Sequence, residues 1–520
     1  MSLDSAHSQP GHAGPHSLDG PRGPSDPSAP PSNQPLCVDL DGTLVKSDTL
    51  LDSVIVLARQ SPRSLLRFPR WIAEGKAAFK RHVTSVVALD VVHLPYNQPL
   101  LEFLRQQHAA GREIYLATGA DHLLAERVAE HLGLFSGVLA SDGSLNLTGG
   151  NKLAAFQQRF PAGFSYIGNA RPDLPLLTHS VHPMVANPQR GLRAALRSTA
   201  VQPTRTFTDK ASPLKAWMRA IRLHQWAKNT LIFLPLLLAH VRAVGPVVAA
   251  FLAFLSFGLA ASATYIFNDL LDLEADRHHP RKCSRPFAAG DLSPITGAAT
   301  ILLFLALSLA LALLLPRVLP AFSPQFPWNG QGRFIEWLVL YAISTIVYSL
   351  RLKRMILVDV MVLACLYTIR ILAGSAAAGV MVSPWLAAFS IFFFLSLAFV
   401  KRFAELESMS LRSQAPDALA VKGRNYRVSD LEQLRSFGTA SGYASVVIFA
   451  LYIGTVVAQG LYSHYARLWL LVPVLLLWLS RLWLKASRGE LEEDPVVYAI
   501  TDRRSLQLGV VVVAIVLSAL

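Results

Sequence analysis

Residues 268–286, NDLLDLEADRHHPRKCSRP, decide how the second half of this 520-residue chain is interpreted. The stretch directly follows the apolar run VVAAFLAFLSFGLAASATYIF, so it lies at the end of a predicted membrane helix. Asp269, Asp272 and Asp276 are spaced i, i+3 and i+7, which places three carboxylates on one helical face, and Asn268 joins the same stripe. Because carboxylates on one face repel each other unless a cation neutralises them, the pattern predicts a cation site.

The positive charges that follow the acidic face indicate what this site binds. Mg²⁺ uses one or two carboxylates together with substrate phosphates. Arg277, Lys282 and Arg285 supply positive charge for phosphate oxygens, which arginine can contact in a bidentate manner. A solvated helix end with mutual salt bridges would explain the charge, but not three acids on one face beside a bilayer. We therefore expect a Mg²⁺–diphosphate site, with the three aspartates as catalytic and metal-binding residues and Asn268 as a substrate contact.

The composition indicates a membrane protein rather than a nucleic-acid-binding one. The chain is 52% hydrophobic and 16% charged, with a formal net charge of +14, and its basic residues cluster beside apolar runs. We predict nine transmembrane helices, with eight as the alternative count. The apolar segments lie near residues 230–241, 244–268, 297–316, 334–350, 356–377, 384–400, 440–459, 467–484 and 507–520. The three cysteines are far apart, so no disulfide framework or zinc site is expected. His278 and His279 have no metal-ligand spacing and are interpreted as loop residues.

The distribution of Lys and Arg predicts the orientation in the bilayer. These residues are concentrated in the connections after the second, fourth, sixth and eighth apolar segments, whereas the alternate connections are poor in positive charge. By the positive-inside rule, the even-numbered connections face the cytoplasm, and so does the N-terminal domain. We therefore predict a multi-pass protein of the cytoplasmic (inner) membrane.

The core NDxxDxxxD of the opening stretch resembles the first aspartate-rich motif of the UbiA-type membrane prenyltransferase superfamily. The resemblance covers residues from about 215 to the C-terminus, and it implies nine transmembrane helices and a Mg²⁺-dependent diphosphate site. The segments RLHQWAKNTLIFLPLLLA, YSLRLKRMILVDV, IRILAG and KRFAEL, with the tail DRxHPxKxxRP, resemble the decaprenyl-phosphate phosphoribosyltransferase branch. Members of that branch move phosphoribose from phosphoribosyl pyrophosphate onto a polyprenyl phosphate and release pyrophosphate.

The same resemblance suggests roles for five further residues. The superfamily's usual second DxxxD motif is not evident, and Asp359 stands in its place, where Lys353 and Asp359 would hold phosphate or metal. Arg370 lies eleven residues later, about three turns deeper on the same face. A charge at that depth is expensive, so Arg370 either binds substrate or pairs with a buried carboxylate. Lys228 and Asn229 are either interfacial anchors or, as the resemblance implies, contacts to the lipid phosphate.

The first part of the chain has a different organisation. Residues 1–34 are rich in Pro, Gly, Ser and His, and we predict a disordered tail. Residues 35–200 carry the short apolar strands LCVDL, EIYLAT and FSYIG, separated by helical patterns, which predicts a soluble α/β domain of Rossmann-like type. Residues 201–228 are predicted to link this domain to the all-α membrane domain, residues 229–520.

The stretch LCVDLDGTL places Asp39 and Asp41 just after a strand and resembles the DxDGT motif of haloacid dehalogenase-like phosphatases. The resemblance covers about residues 35–200. It implies that Asp39 is the nucleophile that forms an aspartyl-phosphate, and that Asp41 is general acid and then base. It also implies that Thr118 binds the phosphate, Lys152 neutralises it and Asp173 is a Mg²⁺ ligand.

The fourth motif, YIGNARPDLPLL, departs from the usual pattern because its first acid is Asn169. The amide still offers an oxygen to a metal, but without charge, so metal affinity is expected to fall. The resemblance places Asp39 and Asp41 beside Asn169 and Asp173 in the metal site, under a helical cap formed by residues 48–100. A phosphatase fold that survives only as a docking or regulatory domain is the alternative.

Three functions remain open from the sequence. The first is a phosphoribosyltransferase fused to a phosphatase that removes the 5-phosphate of the lipid-linked product. The second is a UbiA-type prenyltransferase that uses a prenyl diphosphate and an aromatic or other acceptor. The third is a polyprenyl-phosphate carrier, which would show internal repeats and Gly/Pro-broken helices at matching places in two halves, and none is apparent.

Overall fold

The computed structural model describes residues 34–199, 201–322, 331–410, 425–455, 460–491 and 495–520. The predicted disordered tail, apart from its last residue, lies outside the described residues, as does the end of the apolar segment 440–459. The described chain forms an α/β domain followed by an all-helical domain, as the sequence predicts.

The α/β domain is built on one parallel sheet of six strands. Its strands are β1 Leu36–Val38, β2 Ile114–Asp121, β3 Gly137–Ser141, β4 Ser165–Gly168, β5 Pro183–Ala186 and β6 Arg205–Phe207. Their order is β3-β2-β1-β4-β5-β6, and every neighbouring pair is parallel. The direction of winding reverses between β1 and β4, which is where open α/β sheets form their sites at the carboxyl ends of strands.

The helices of this domain include an insertion after β1. They are α1 Thr49–Gln60, α2 Phe68–Ala73, α3 Lys76–Val86, α4 Gln98–Ala109, α5 His122–Leu132, α6 Gly150–Arg159, α7 Leu174–His179 and α8 Arg190–Ser198. The inserted helices α1 to α3 end at Val86, earlier than the predicted boundary at residue 100. Helix α4 instead packs in the core of the domain, where Leu100 and Leu104 are fully buried beside strand residues such as Ile114.

The predicted linker 201–228 is largely regular structure. Strand β6 pairs in parallel with β5, and Phe207 is buried in the core, so the α/β domain extends beyond residue 200. After it come helix α9, Pro213–Ile221, and a 3₁₀ helix, Leu223–Phe233. The sequence did not predict β6, because this strand has only three residues and its first two side chains are exposed.

The C-terminal domain is all-helical. Its elements are α10 Leu234–Leu238, α11 Val244–Leu271, α12 Leu273–His278, α13 Pro294–Phe322, α14 Gln331–Leu350, α15 Val358–Ala378, α16 Pro384–Ser410, α17 Leu431–Ile453, α18 Leu471–Ser487, α19 Pro495–Thr501 and α20 Arg503–Ala519. Within the described residues, six helices are long and apolar enough to cross a membrane, so the chain is a multi-pass membrane protein.

The predicted count of nine spans is not confirmed. Four of the six spans lie within α11, α13, α15 and α16, and the other two, Val428–Ile453 and Tyr465–Ser487, consist of α17 and α18 with the 3₁₀ turn before each. Two further apolar helices are shorter. One is Phe334–Leu350, which lies within α14, and the other is α20. The first predicted segment, 230–241, divides between the end of the 3₁₀ helix and the five-residue α10. Pro235 and the left-handed backbone of His240, at φ 54°, limit helix growth there.

Small residues let the segment before the first span approach the helices closely. A Cβ on Gly374 of α15 would lie 2.1 Å from the carbonyl oxygen of Ile232, and one on Gly258 of α11 would lie 2.7 Å from the ring of Trp226. The indole Nε1 of Trp226 donates to Ser262 Oγ at 3.0 Å. Such close approach to a helix backbone is possible only because these glycines have no side chain. The 3₁₀ helix is thereby held between α11 and α15.

The two domains pack against each other through the acidic stretch. Arg277 Nη2 donates to Asp52 Oδ2 at 2.8 Å and to Ser47 Oγ at 3.2 Å. Arg59, in the last turn of α1, donates to the carbonyl oxygen of Leu271 at 3.2 Å. The phosphatase-like domain therefore lies on the side of the membrane domain that carries the aspartate-rich motif.

Candidate active sites

Buried polar contacts assemble the site of the α/β domain around Asp39. Lys152 Nζ donates to Asp39 Oδ1 at 2.8 Å and to the hydroxyl of Tyr166 at 3.1 Å. Tyr166 in turn donates to Asp173 Oδ1 at 2.8 Å, and Thr43 Oγ1 donates to Asp39 Oδ2 at 3.3 Å. Three predicted residues are thus joined in one network. Tyr166 was not predicted, because its position in a strand does not reveal that its hydroxyl bridges two of them.

The sheet topology explains why separate motifs meet. Strand β1 lies between β2 and β4. Asp39 and Asn169 directly follow β1 and β4, and Thr118 lies in the second half of β2, so all three are near the carboxyl ends of adjacent strands. Thr118 is fully buried, and its Oγ1 accepts from Ala120 N at 3.0 Å. A Cβ on Gly42, which has φ 75°, would lie 1.9 Å from Asn169 Nδ2. Asn169 therefore reaches the turn that carries Asp41, and only glycine leaves it room.

The two aspartates of the DxDGT motif have raised pKa values. Burial raises the pKa of Asp39 to about 6, although the Lys152 ammonium opposes the shift. Burial, and then the nearby Asp48 carboxylate, raise the pKa of Asp41 to about 7. Asp41 Oδ1 accepts from Thr49 N at 2.8 Å and from Thr49 Oγ1 at 2.7 Å, which holds it at the start of α1. A carboxyl that titrates near neutral pH is suited to general acid and base chemistry.

The inserted helices add a cation to this site. Lys80, from α3, donates to Asn146 Oδ1 at 2.8 Å and to the carbonyl oxygen of Gly119, next to Thr118, at 2.5 Å. Burial lowers the pKa of Lys80, while the Asp41 carboxylate opposes that shift. Sequence reasoning missed Lys80, because a lysine in an amphipathic helix is ordinarily a surface residue.

In the membrane domain, the structure joins two of the three motif aspartates through one arginine. Arg285 Nη1 lies 2.6 Å from Asp276 Oδ2 and 3.1 Å from Asp269 Oδ1. Arg222 Nη2 lies 2.5 Å from the same Asp269 oxygen. Arg222 has a left-handed backbone with φ 55°, a strained conformation for a residue other than glycine. Sequence reasoning did not assign Arg222 to the site, because it lies 47 positions before Asp269.

The third aspartate lies beside a cation from another helix connection. Lys353 Nζ donates to Asp272 Oδ2 at 2.7 Å and to Asn268 Oδ1 at 3.4 Å. Arg59 of the α/β domain comes within 4.0 Å of Asp272 Oδ1. Three predicted site residues therefore meet, although Lys353 was expected to act beside Asp359. The contact from Arg59 could not be predicted, since it joins the two domains.

Arg277 and Lys282 are the other predicted phosphate-binding cations of residues 268–286. Arg277 is buried against Asp52 and Ser47 and also donates from Nε to the carbonyl oxygen of Ala288 at 3.2 Å, so it faces the α/β domain instead of the aspartates. Lys282 lies in a short 3₁₀ turn and is exposed. Its phosphate-binding role stays a prediction.

Asp359 is held by protein partners. This residue is fully buried at the start of α15, where one carboxylate oxygen accepts from Arg402 Nε and the other from the hydroxyl of Tyr426. Arg402 is itself 1% exposed and also contacts the hydroxyl of Tyr348 at 3.2 Å. These contacts favour a structural ion pair for Asp359 over the predicted metal role. Among the described residues, no contact joins Asp359 to the aspartate-rich motif.

Arg370 lies in a pocket of neutral groups. Its guanidinium donates to Asn229 Oδ1 at 2.8 Å, to the Leu366 carbonyl oxygen at 2.5 Å and to the hydroxyl of Tyr341 at 3.1 Å. It also lies over the ring of Tyr341, 4.8 Å from the centroid, and 5.7 Å from that of Tyr367. Among the described residues no carboxylate forms an ion pair with it, so the structural pair that we considered is not found.

Asn229 and Lys228 lie beside this buried cation. Asn229 is fully buried, and its Nδ2 has no hydrogen-bond partner among the described residues. Lys228 Nζ lies over the ring of Tyr367, 5.8 Å from the centroid. A buried cation and an unpaired donor next to each other can accept an anion with little rearrangement.

The donor set of the aspartate-rich motif fits a hard divalent cation. Asp269 and Asp276 are 2% and 3% exposed, so two buried carboxylates share one half-buried guanidinium, that of Arg285. Burial raises the pKa of Asp276, while Arg285 opposes that shift. Carboxylate oxygens are the ligands that Mg²⁺ prefers, and an added cation there would release Arg285 for phosphate oxygens.

Comparison with known proteins agrees with this architecture. Residues 230–500 match the UbiA prenyltransferase family, and residues 36–178 match the haloacid dehalogenase-like hydrolases. The uncharacterised protein y4nM of Sinorhizobium fredii is 37% identical over 92% of this chain and 89% of its own length. Nodulation protein NoeC of Azorhizobium caulinodans is 36% identical over 56% of this chain and 90% of its own.

A third relative carries a biochemical name. Decaprenyl-phosphate phosphoribosyltransferase of Mycobacterium tuberculosis is 31% identical over 45% of this chain and 72% of its own length. The family match spans more than half of the chain and coincides with the helical domain that holds the aspartate-rich motif. The chain therefore belongs to the UbiA prenyltransferase family, as a membrane transferase with an N-terminal haloacid dehalogenase-like hydrolase domain.

Proposed function

We propose that the membrane domain transfers phosphoribose from phosphoribosyl pyrophosphate to a polyprenyl phosphate, and that the α/β domain then removes the 5-phosphate from the product. The observation that carries the first part is the alternation of acids and cations at the helix end. Asp269 and Asp276 share Arg285, while Asp272 is paired with Lys353. The aspartates of such a site would hold a divalent cation, and the cations beside them would contact the phosphate oxygens of the substrate.

The donor proposal rests on charge and on the named relatives. Phosphoribosyl pyrophosphate carries a diphosphate and a separate phosphomonoester, so it requires more positive charge than a prenyl diphosphate. Arg222, Arg285, Lys353 and Arg59 all lie within 4.0 Å of a motif carboxylate. The relatives named decaprenyl-phosphate phosphoribosyltransferase support the same donor.

The transfer needs positioning and charge stabilisation more than proton transfer. A phosphate oxygen of the lipid attacks C1 of the ribose, the bond from C1 to the pyrophosphate oxygen breaks, and pyrophosphate leaves. Mg²⁺ held by the three aspartates would offset charge on the leaving group. Arg285 and Lys353 would contact phosphate oxygens, and the nucleophile is already an anion, so a strong general base is not required.

We assign the lipid phosphate to the pocket around Arg370. Its guanidinium has only neutral partners among the described residues, and the adjacent Asn229 Nδ2 is an unused donor. Lys228 and Tyr367 complete the edge of this pocket. A phosphate that enters there would compensate a buried charge, which is a reason for its presence at that depth.

The proposed hydrolysis uses the network around Asp39. A carboxylate oxygen of Asp39 attacks phosphorus, the ester bond to the ribose oxygen breaks, and Asp41 gives that oxygen a proton. Water then releases inorganic phosphate from the aspartyl-phosphate, with Asp41 as base. Lys152 and Thr118 would bind the phosphate. Asp39 and Asp173, with Asn169 as a neutral ligand, would hold Mg²⁺, which would supply positive charge to the phosphate oxygens.

The two activities would act on the same side of the membrane. The α/β domain contacts the aspartate-rich motif directly through Arg277 and Arg59. Positive charge in the connections favours the cytoplasmic side of an inner membrane. A docked hydrolase experiences a high effective concentration of a lipid product made beside it.

The transfer is tested with purified protein in bilayer nanodiscs, Mg²⁺, polyprenyl phosphate and phosphoribosyl pyrophosphate labelled in the ribose. Label should enter the lipid extract, and Asp269→Asn and Asp272→Asn should abolish this. Glu432→Gln, which neutralises an exposed carboxylate at the start of α17, is the matched control and should keep activity. Label that enters lipid only from a prenyl diphosphate with an aromatic acceptor would replace the proposal with that prenyltransferase reaction.

The hydrolysis is tested by comparing the lipid products of the wild type and Asp39→Asn. The variant should accumulate the lipid with a 5-phosphate, and the wild type the lipid without it. Identical product ratios, with transfer intact in both, would leave the α/β domain as a docking or regulatory domain.

A further inference from the structure

Three metal-ligating side chains from the two domains meet outside both proposed active sites. Asp90 and His93 belong to the loop after α3, and His278 is the last residue of α12. Asp90 Oδ2 lies 2.7 Å from His93 Nδ1 and 2.9 Å from His278 Nε2. All three ligand atoms lie within 4.8 Å of one another, and the two imidazole centroids are 4.0 Å apart.

We propose that Asp90, His93 and His278 bind a divalent transition-metal ion of the zinc type, which links the hydrolase domain to the membrane domain. Two imidazole nitrogens and one carboxylate oxygen form a three-ligand protein set, and such sites keep a further position for water. In a tetrahedral zinc site with bonds of about 2.0–2.1 Å, ligand atoms lie about 3.3 Å apart. The observed separations need only small side-chain movements to reach that spacing.

The ligands are held in place by contacts that do not depend on a metal. Val92 N donates to Asp90 Oδ1 at 2.9 Å, which fixes the carboxylate and directs its other oxygen to the histidines. The hydroxyl of the buried Tyr96 donates to the carbonyl oxygen of Val91 at 2.8 Å, which braces the loop. On the other side, His278 directly follows Arg277, which is anchored by Asp52.

The ligand chemistry separates this site from the two proposed Mg²⁺ sites. Mg²⁺ prefers oxygen ligands, whereas imidazole suits zinc and its neighbours. Asp90, His93 and His278 are 26%, 42% and 37% exposed, so an ion can reach them from solvent. Local spacing could not reveal the set, since His278 is brought to the others only by domain packing.

The test uses the full chain in nanodiscs, stripped of metal with a chelator and then kept in excess Mg²⁺ so that the oxygen sites are occupied. Zn²⁺ is titrated by calorimetry, and the bound metal is counted by mass spectrometry. We expect one Zn²⁺ per chain with this site. His93→Ala and His278→Ala should each weaken Zn²⁺ binding by at least about tenfold, because even changes to residues that only support a metal's ligands lower metal affinity by about that factor.

Two variants separate loss of a ligand from damage to the fold. His278→Cys supplies another zinc ligand and should retain binding. His122→Ala is the matched control, because it removes a half-buried histidine that is paired with Glu126 at 3.0 Å, and it should leave Zn²⁺ binding unchanged. Asp39→Asn and Asp269→Asn should also keep this zinc, so failure of the proposed activities is distinguishable from failure of the metal site.

The linking role has its own measurement. Trypsin cleavage after the exposed Lys210, in the connection between β6 and α9, should slow with Zn²⁺ in the wild type. In His278→Ala the cleavage rate should not respond to Zn²⁺. The proposal is overturned if the stripped wild type binds no Zn²⁺ in excess Mg²⁺, or if both alanine variants bind it as tightly as the wild type.

Discussion

Replacing Arg277 with methionine should separate the two domains and leave donor binding unchanged. Arg277 Nη2 lies 2.8 Å from Asp52 Oδ2, and the two side chains are 6% and 0% exposed. The same Asp52 oxygen accepts from Ser47 Oγ at 2.6 Å, while Oδ1 has no hydrogen-bond partner among the described residues. Arg277→Met would therefore leave a buried carboxylate with one neutral hydrogen bond.

The magnitude follows from the burial of this pair. Removal of one partner from a buried ion pair costs about 3–5 kcal/mol. At about 1.4 kcal/mol per factor of ten, the ratio of docked to separated domains should fall by roughly two to three and a half orders of magnitude. Separation is the expected response, because it returns the Asp52 carboxylate to water without unfolding either domain.

Hydrogen–deuterium exchange of the full chain in nanodiscs measures this change at α1 and residues 285–292. Arg277→Met should accelerate exchange there by at least about tenfold, which is less than the full change expected in the ratio of docked to separated domains. Arg281→Met removes an exposed guanidinium from the same loop and should change little. Asp52→Leu combined with Arg277→Met removes both charges and should restore protection. Unchanged exchange, together with a raised KM for phosphoribosyl pyrophosphate, would refute this reasoning and assign Arg277 to phosphate binding.

Four further outcomes are expected. Tyr166→Phe should lower kcat for monoester hydrolysis by about tenfold or more, because hydrogen bonds to charged groups are worth about 1.5–3 kcal/mol. The hydrolysis rate should fall as pH rises through about 7, where Asp41 loses the proton that it donates. In thermal unfolding, Arg402→Met should destabilise the chain by about 3–5 kcal/mol, and Asp359→Leu combined with Arg402→Met should recover most of it. Arg370→Met should raise the KM for polyprenyl phosphate in lipid-extraction assays and leave hydrolysis of a soluble monoester unchanged.

Local patterns were sufficient for the two folds, whereas the roles given to the site residues stay predictions. The strand and the DxDGT turn after it predicted where Asp39 lies, since residues at the carboxyl end of a central parallel strand reach the site edge. The i, i+3, i+7 spacing predicted three acids on one helical face. The structure joins Asp269 to Asp276 through Arg285, whereas Asp272 lies between α11 and α12 and is paired with Lys353. In both cases the motif acids are close together in the sequence, whereas the cations Lys152 and Lys353 that contact them come from distant segments.

Pairings between distant segments could not be predicted in this way. Asp359 was expected at a metal site, but its partner Arg402 lies 43 positions later on another helix. Arg277 was expected on phosphate, but it meets Asp52, 225 positions earlier. Charge type and depth were visible in the sequence, whereas the choice of partner depends on which helices and domains pack together.

Helix α1 connects the two proposed active sites. Its first residue, Thr49, holds the Asp41 carboxylate through two hydrogen bonds of 2.8 and 2.7 Å. In its last turn, Arg59 lies within 4.0 Å of Asp272. A helix of 12 residues is about 18 Å long, so the two centres are about one helix length apart. In the proposed reaction sequence, a phosphorylated product that stays in the bilayer would have only that distance to cover before its monoester met Asp39, and this short path would give the hydrolase domain a high effective concentration of its substrate.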